Sequence, residues 1–511
     1  MANNQWTDGY VSEINYVREF YREMSPSMMA YSLTLNGYAA LDPAEPFTYC
    51  ELGMGQGVTL SVLAATHPDS EFWGTDFNPA HTAGCRTLAD AAGLTNLHVF
   101  EDSFAEFLER ETPPFDVMAL HGVWSWVSIA NQQKIVEIVK RKLKPGGMLY
   151  ISYNCLPGWA AGLPLRHLLA SHVSSSNGPM RGRLEGAMEF AQGLVDVQAQ
   201  YFNANPAVAE FLGEIRKESP NYLAHEYLNR DFHPRYFSEV AGDLSEAKLT
   251  FVSSATAVDQ IDLVNFTAAG REKLGLVEDP LLRQTVRDYL LNTRFRRDIY
   301  VKGPRVLSVI ERRERLRSQR FALKYPRDTV PDRANCAVGK FELNVSICGP
   351  ILDALAREPS KLSDLLELAS IRDMGLEAVL EAITVFIALG VVEPALSPAA
   401  AESARASSRS MNAAISAAGE GVEEICVFAS PVLGSGIEAA RIDRLFLSAH
   451  EAGADLKASA WSSLKRNGHR LIKEGSIVEG ESESLKILDE LAETFRAKTV
   501  TIWELLGLGK K

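Results

Sequence analysis

YCELGMGQGVTLSVLAA (residues 49–65) is the stretch whose reading decides the fold. An apolar run carrying one acid, Glu51, gives way to Gly53, Gly55 and Gly57, and an apolar stretch follows. Glycine loses more backbone entropy on folding than any other residue, so three at alternate positions imply left-handed φ values or a close approach to the backbone. A strand over 47–52 turning into a helix over 58–65 marks the first crevice of an α/β sheet, where ligands lie at the carboxyl ends of strands. Amides at the start of that helix add hydrogen-bond donors.

The pattern continues outward. EFWGTDF (71–77), NLHVFED (96–102), FDVMALHG (115–122) and MLYISYN (148–154) read as strands, and residues 79–94 and 131–147 as helices. Strands alternating with helical crossovers predict a parallel, doubly wound Rossmann-like sheet of α/β class. KLTFVSS (248–254) and RRDIYVK (296–302) are expected to complete it. One or two helices are expected over 12–37.

This gives six segments: the first part of the sheet domain (1–156), a helical insertion (157–224), the rest of the sheet and a regulatory region (225–305), a winged-helix-like middle domain (306–396), a linker (397–422) and a small C-terminal domain (423–511). The linker rests on its Ala- and Ser-rich composition. AITVFIALGVV (382–392) is too short to span a bilayer and reads as a core helix running into a strand.

The 511 residues exceed one core, and 46% hydrophobic with 23% charged residues is ordinary for a globular protein. A net charge of −13 argues against nucleic acid as the main partner. The basic run ERRERLRSQR (311–320) is interleaved with Glu and reads as a solvated helix face. Six scattered cysteines form no CxxC pair, so neither a metal site nor a disulfide framework is expected, and the thiols suit the cytoplasm. MANNQWTDGYVSEINY, at the start, lacks the features of a signal peptide.

Three features sharpen the glycine turn. Its spacing is GxGxG rather than the GxGxxG of dinucleotide binders, which disfavours a nicotinamide oxidoreductase. Asp76 ends the second strand, where a carboxylate can accept both ribose hydroxyls of a nucleoside. Asp102, followed by Ser103, ends the third, within reach of an adenine amino group.

With KPGG (144–147) ahead of the fifth strand, the set resembles the class I S-adenosylmethionine methyltransferases. The resemblance implies Glu51, Gly53, Gly55 and Gly57 for the methionyl and ribose region, Asp76 for the ribose and Asp102 for the adenine. Asn78, Ser103, His121, Tyr16 and Tyr21 complete the expected cofactor set. YCELGMGQG, GTDFNPAH, LHGVWSWVS, LKPGGMLYISYNCLPGW and ASPVLGSG are similar to bacterial methyltransferases carrying a methyltransferase regulatory domain, the rickettsial outer-membrane-protein lysine methyltransferases among them. That resemblance implies an insertion used for dimerisation.

The reactive methyl is expected near the ends of strands one, four and five. There His121, Trp124, Trp126 and Tyr153 are the candidate catalytic residues. Aromatic faces can flank a sulfonium or an incoming amine, worth roughly 0.5–2 kcal/mol each. The two tryptophans read equally well as core. His121 reads as structural or as base for a hydroxyl acceptor. Tyr16 and Tyr21 either pack their helix on the sheet or cover the cofactor.

No [DN]PP[YF] follows strand four, which disfavours adenine or glutamine acceptors. For a lysine acceptor, deprotonation at neutral pH costs about 4.6 kcal/mol, which an apolar aromatic channel lowers. A protein lysine is the leading acceptor, since an acidic surface suits a basic partner. Two alternatives stay open: a small-molecule methyltransferase, and a cofactor-binding regulatory module without turnover.

Overall fold

A computed structural model describes residues 18–218, 223, 226–418, 425–473 and 476–509. Tyr16 and the helix expected from residue 12 lie, up to residue 17, outside the described residues. The segment next to them forms a short 3₁₀ turn, Arg22–Met24, and α1 (Pro26–Leu35).

The central sheet has seven strands: β1 (Thr48–Leu52), β2 (Glu71–Thr75), β3 (Leu97–Phe100), β4 (Phe115–Leu120), β5 (Leu143–Asn154), β6 (Leu249–Ser254) and β7 (Phe295–Lys302). Their order is β3-β2-β1-β4-β5-β7-β6. β1 to β5 run parallel, and β7 lies antiparallel between β5 and β6. Strand order reverses between β1 and β4, the switch point where such sheets open a crevice. The two late strands complete the sheet as expected. β1 (TYCEL) is buried from Tyr49 to Leu52, Glu51 included, as befits a central strand covered on both faces.

The crossovers are α2 (Val58–Thr66), α3 (Pro79–Ala92), α4 (Phe104–Glu109) and α5 (Ile129–Lys142). Local chemistry fixes their starts. Asn78 caps α3, accepting from the Ala80 amide at 3.0 Å with Pro79 in the first turn. Ser103 caps α4 in a capping box with Glu106. α2 (VTLSVLAAT) is buried along all nine residues, a pattern that needs cover on the side away from the sheet.

Between β5 and β6 stand the insertion helices Leu163–Ser175, Met180–Asp196, Gln200–Ala204 and Pro206–Ile215, around their own core of Trp159, Leu169, Leu184 and Leu212. The middle domain is a three-stranded antiparallel sheet (Arg320–Leu323, Ser360–Lys361, Val392–Ala395) with helices Val345–Leu355, Leu362–Leu366 and Leu376–Ala388.

The expected linker is different in the structure: Pro398–Ala418 is a helix of 21 residues. Alanine is the strongest helix former, and Ala401, Ala404, Ser408, Met411, Ala414 and Ile415 make a buried stripe at helical spacing. That helix packs on α2 and α3, and the strands Val427–Ser430 and Ser435–Glu438 also lie on α2. Among the described residues, no helix is long and apolar enough to cross a membrane.

Candidate functional site

The turn after β1 places Gly53, Gly55 and Gly57 at φ values of 70°, 54° and 67°. The Gly53 and Met54 amides donate to the Thr75 carbonyl at 2.8 and 3.2 Å, folding the turn over the end of β2. A Cβ on Gly57 would stand 2.3 Å from the Cys85 sulfur, and one on Gly53 would stand 2.6 Å from Cγ2 of Val123. At these two positions the crowding neighbours are side chains of the protein, and the left-handed backbone excludes other residues too.

Two connected chambers open at the carboxyl ends of the strands. The inner one, of about 110 Å³, is lined by Tyr21, Glu51, Gly53, Gly55, Gly57, Asp76, His121 and Trp126, with Glu226 and Asn229 reaching in from beyond the insertion. The outer one, of about 570 Å³, is lined by Phe77, Asp102, Ser103, Phe104 and Val127 and shares Gly53, Asp76 and Trp126 with the first.

Glu51 is 4% exposed, and its Oε2 is buried without a hydrogen-bond partner. Burial, with the nearby Asp76 charge, holds its carboxyl well above the usual range. Asp76 is tied into the turn. Its Oδ2 accepts from the Gly55 amide at 2.9 Å, and its Oδ1 accepts from the Asn78 amide at 2.9 Å and lies 3.2 Å from Nδ1 of His81. A carboxylate has about four acceptor sites, which leaves room for a ligand hydroxyl.

Asp102 is paired through both oxygens with Arg110, one contact measuring 2.9 Å. Its carboxylate is therefore engaged by the protein, while its backbone carbonyl accepts from Thr75 Oγ1 at 2.9 Å. The Ser103 hydroxyl is likewise engaged by its capping box.

His121 lines the inner chamber with Nδ1 held at 2.8 Å from the Tyr150 hydroxyl and 3.3 Å from Ser152 Oγ. Burial, then the Arg297 charge, pushes its pKa down to about 3. The ring is neutral at physiological pH and a poor proton acceptor, which weakens the base role considered for a hydroxyl acceptor.

The other candidates part company. Trp126 lines both chambers and packs against Phe232 at 4.5 Å between ring centres. Trp124 is fully buried in the core beneath α5 and does not line the chambers. The 3₁₀ turn Trp124–Trp126 explains this, because positions two apart on three residues per turn face different ways. Tyr153 is also core, donating to Asp298 Oδ2 at 2.7 Å. Strand alternation turns Tyr150 and Ser152 toward His121 and Tyr153 to the opposite face.

Glu226, Asn229, Arg166 and Phe232 were not anticipated. The Arg166 guanidinium lies 4.5 Å over Phe232 and 5.7 Å over Trp126, and donates to the Asn229 carbonyl at 2.5 Å. Burial pushes the Glu226 pKa up to about 7, with Arg166 opposing the shift. The arrangement combines acceptors for a polyol or amine, an apolar slot, and a carboxylate poised near neutral pH.

Residues 45–215 match the family described as "Methyltransferase domain", and residues 219–302 match "Predicted methyltransferase regulatory domain". An uncharacterized protein of Synechocystis is 37% identical over 503 residues, spanning 98% of this chain and 99% of its own. An uncharacterized protein of Rickettsia prowazekii is 27% identical over 291 residues, covering 56% of this chain and 51% of that one. Among solved structures, PKMT2 from Rickettsia typhi in complex with AdoHcy superposes with a TM-score of 0.71 at 17% identity, covering 96% of this chain and 100% of that one. That likeness shows a shared fold.

Proposed function

The chain belongs to the S-adenosylmethionine-dependent methyltransferases that carry a methyltransferase regulatory domain, and from that premise we propose that it N-methylates lysine side chains of a protein acceptor. S-adenosylmethionine supplies an electrophilic methyl on a sulfonium. The residues fit such a donor. Glu51 offers an unpartnered buried carboxylate oxygen, Asp76 offers spare acceptor capacity at the turn, and Phe77, Phe104 and Val127 line an apolar chamber wide enough for a purine.

The observation that carries the lysine reading is Glu226, a carboxyl raised to about 7 in the same chamber as Tyr21, Trp126 and a neutral His121. An incoming ammonium meets aromatic faces, an uncharged imidazole and one carboxylate able to take its proton. Once neutral, the amine needs only to be held in line with the methyl at contact distance. Residues after the insertion thus supply the acceptor side, and the glycine turn supplies the donor side.

Incubation with methyl-labelled donor and whole lysate tests this. Label is expected in macromolecules, at lysines located by mass spectrometry. Label confined to small solutes would point to a metabolite acceptor, and binding without turnover to a regulatory module.

A further inference from the structure

A second cavity, of about 610 Å³, opens at the end of β6 and the start of β7 and is lined by Arg283, Arg287, Arg294, Arg296 and Arg297. Three of these guanidiniums are committed. Arg287 pairs with Asp262 and donates to the Asp259 carbonyl at 2.6 Å, and Arg283 stands 3.8 Å from Asp262. Arg296 bridges Asp288 at 2.7 Å and Asp298 at 2.9 Å. Asp259, also on the wall, accepts from the Ser254 hydroxyl at 2.7 Å.

Arg294 and Arg297 are different. Among the described residues, neither has a carboxylate within 4.0 Å or a side-chain hydrogen bond to protein. Each instead lies against a ring, Arg294 4.4 Å over Phe211 and Arg297 5.1 Å over Phe295. Nε of Arg297 is buried with no acceptor. A buried cationic donor left unmade is costly, and the stacked, pre-organised fork of arginine suits a bidentate oxyanion.

We propose that this cavity binds a small oxyanion of the phosphate or carboxylate class, held by Arg294 and Arg297. The cavity lies within the stretch matched to the regulatory domain, apart from Asn36. It adjoins the methyl-transfer chamber: Phe295 meets His121 edge-on at 5.9 Å, and Arg297, opposite Ser152 in the sheet register, shares the face that carries Tyr150 and His121. An anion on Arg297 screens the positive charge that helps keep His121 neutral, so occupancy is felt in the chamber.

The full chain is titrated by calorimetry with inorganic phosphate and with succinate at constant ionic strength, and thermal shift is recorded. Saturable binding is expected for at least one, weakened roughly tenfold or more in Arg294→Gln and in Arg297→Gln. Arg297→Lys should retain part of it, and circular dichroism checks the fold of each variant. No saturable binding of either anion up to about 10 mM, or equal binding in folded Arg294→Gln and wild type, overturns the proposal. The readout involves no turnover, so it stands or falls independently of the methyl acceptor.

Discussion

The phenol ring of Tyr21 covers the imidazole of His121, 3.7 Å between centres and 28° between planes. The contact joins the segment ahead of α1 to the end of β4 and roofs the inner chamber. Stacking needs the ring, while the hydroxyl donates to Glu19 Oε2 at 3.2 Å. Tyr21→Phe should therefore keep cofactor affinity within about twofold, while Tyr21→Ala should lose roughly five- to tenfold. Calorimetry with the donor reads both, and equal values for the two variants would remove the roof.

Asp76 holds the glycine turn and faces the same chamber. Asp76→Ala leaves the Gly55 amide without its acceptor and removes the proposed ribose contact. Cofactor affinity should fall between about tenfold and a hundredfold, given 1.5–3 kcal/mol for a hydrogen bond to a charged group. Unchanged affinity would show that the turn does not seat the donor.

Glu226 links rate and stability in opposite directions. Its folded pKa is raised to about 7, so its native environment favours the protonated form. That contribution to stability is present below the ordinary carboxyl range and is lost as pH rises toward and past 7. Glu226→Gln should thus unfold at a higher temperature than wild type at pH 8. As proton acceptor, however, the ionised form is the active one. kcat/KM should rise with pH through about 7 in the wild type, and Glu226→Gln should lose that limb with a drop in kcat of roughly 10²- to 10⁴-fold.

Gly57→Ala places a methyl 2.3 Å from Cys85 Sγ at a φ of 67°. Overpacking and left-handed strain together should cost about 2–4 kcal/mol. Cys85→Ala in the same chain removes the sulfur contact but keeps the residue-85 Cβ 2.8 Å away and the left-handed strain, so about 1–3 kcal/mol should remain. Denaturant melts of the four chains separate the terms.

The strands, their alternation with helices and the glycine turn were legible because they depend on local patterns: an apolar strand, glycines, and acids at the ends of the next two strands. What escaped depends on a tertiary neighbour. Trp124 and Trp126 differ by two positions and face different ways only because the chain there makes a tight turn. Tyr153 and Ser152 divide between the two sheet faces, and nothing local says which face carries the chamber. Glu226 is 105 positions from His121 in sequence, and only the return of the chain from the insertion brings them to one wall. The 398–418 helix was missed because Ala and Ser suit flexible chain as well as helix, and what decides is the surface awaiting it.

That surface is α2, and its complete burial sets the mechanical character of the molecule. A rod with no wettable side cannot survive uncovering. Cutting the chain near residue 396 would bare it, yielding a sticky fragment rather than a minimal catalyst. In the intact chain, a donor seated on the glycine turn, as proposed, would stiffen a rod whose outer flank is the inner wall of the terminal module. Loading the nucleoside should therefore slow amide exchange some 370 positions downstream, around Phe428 and Ile437.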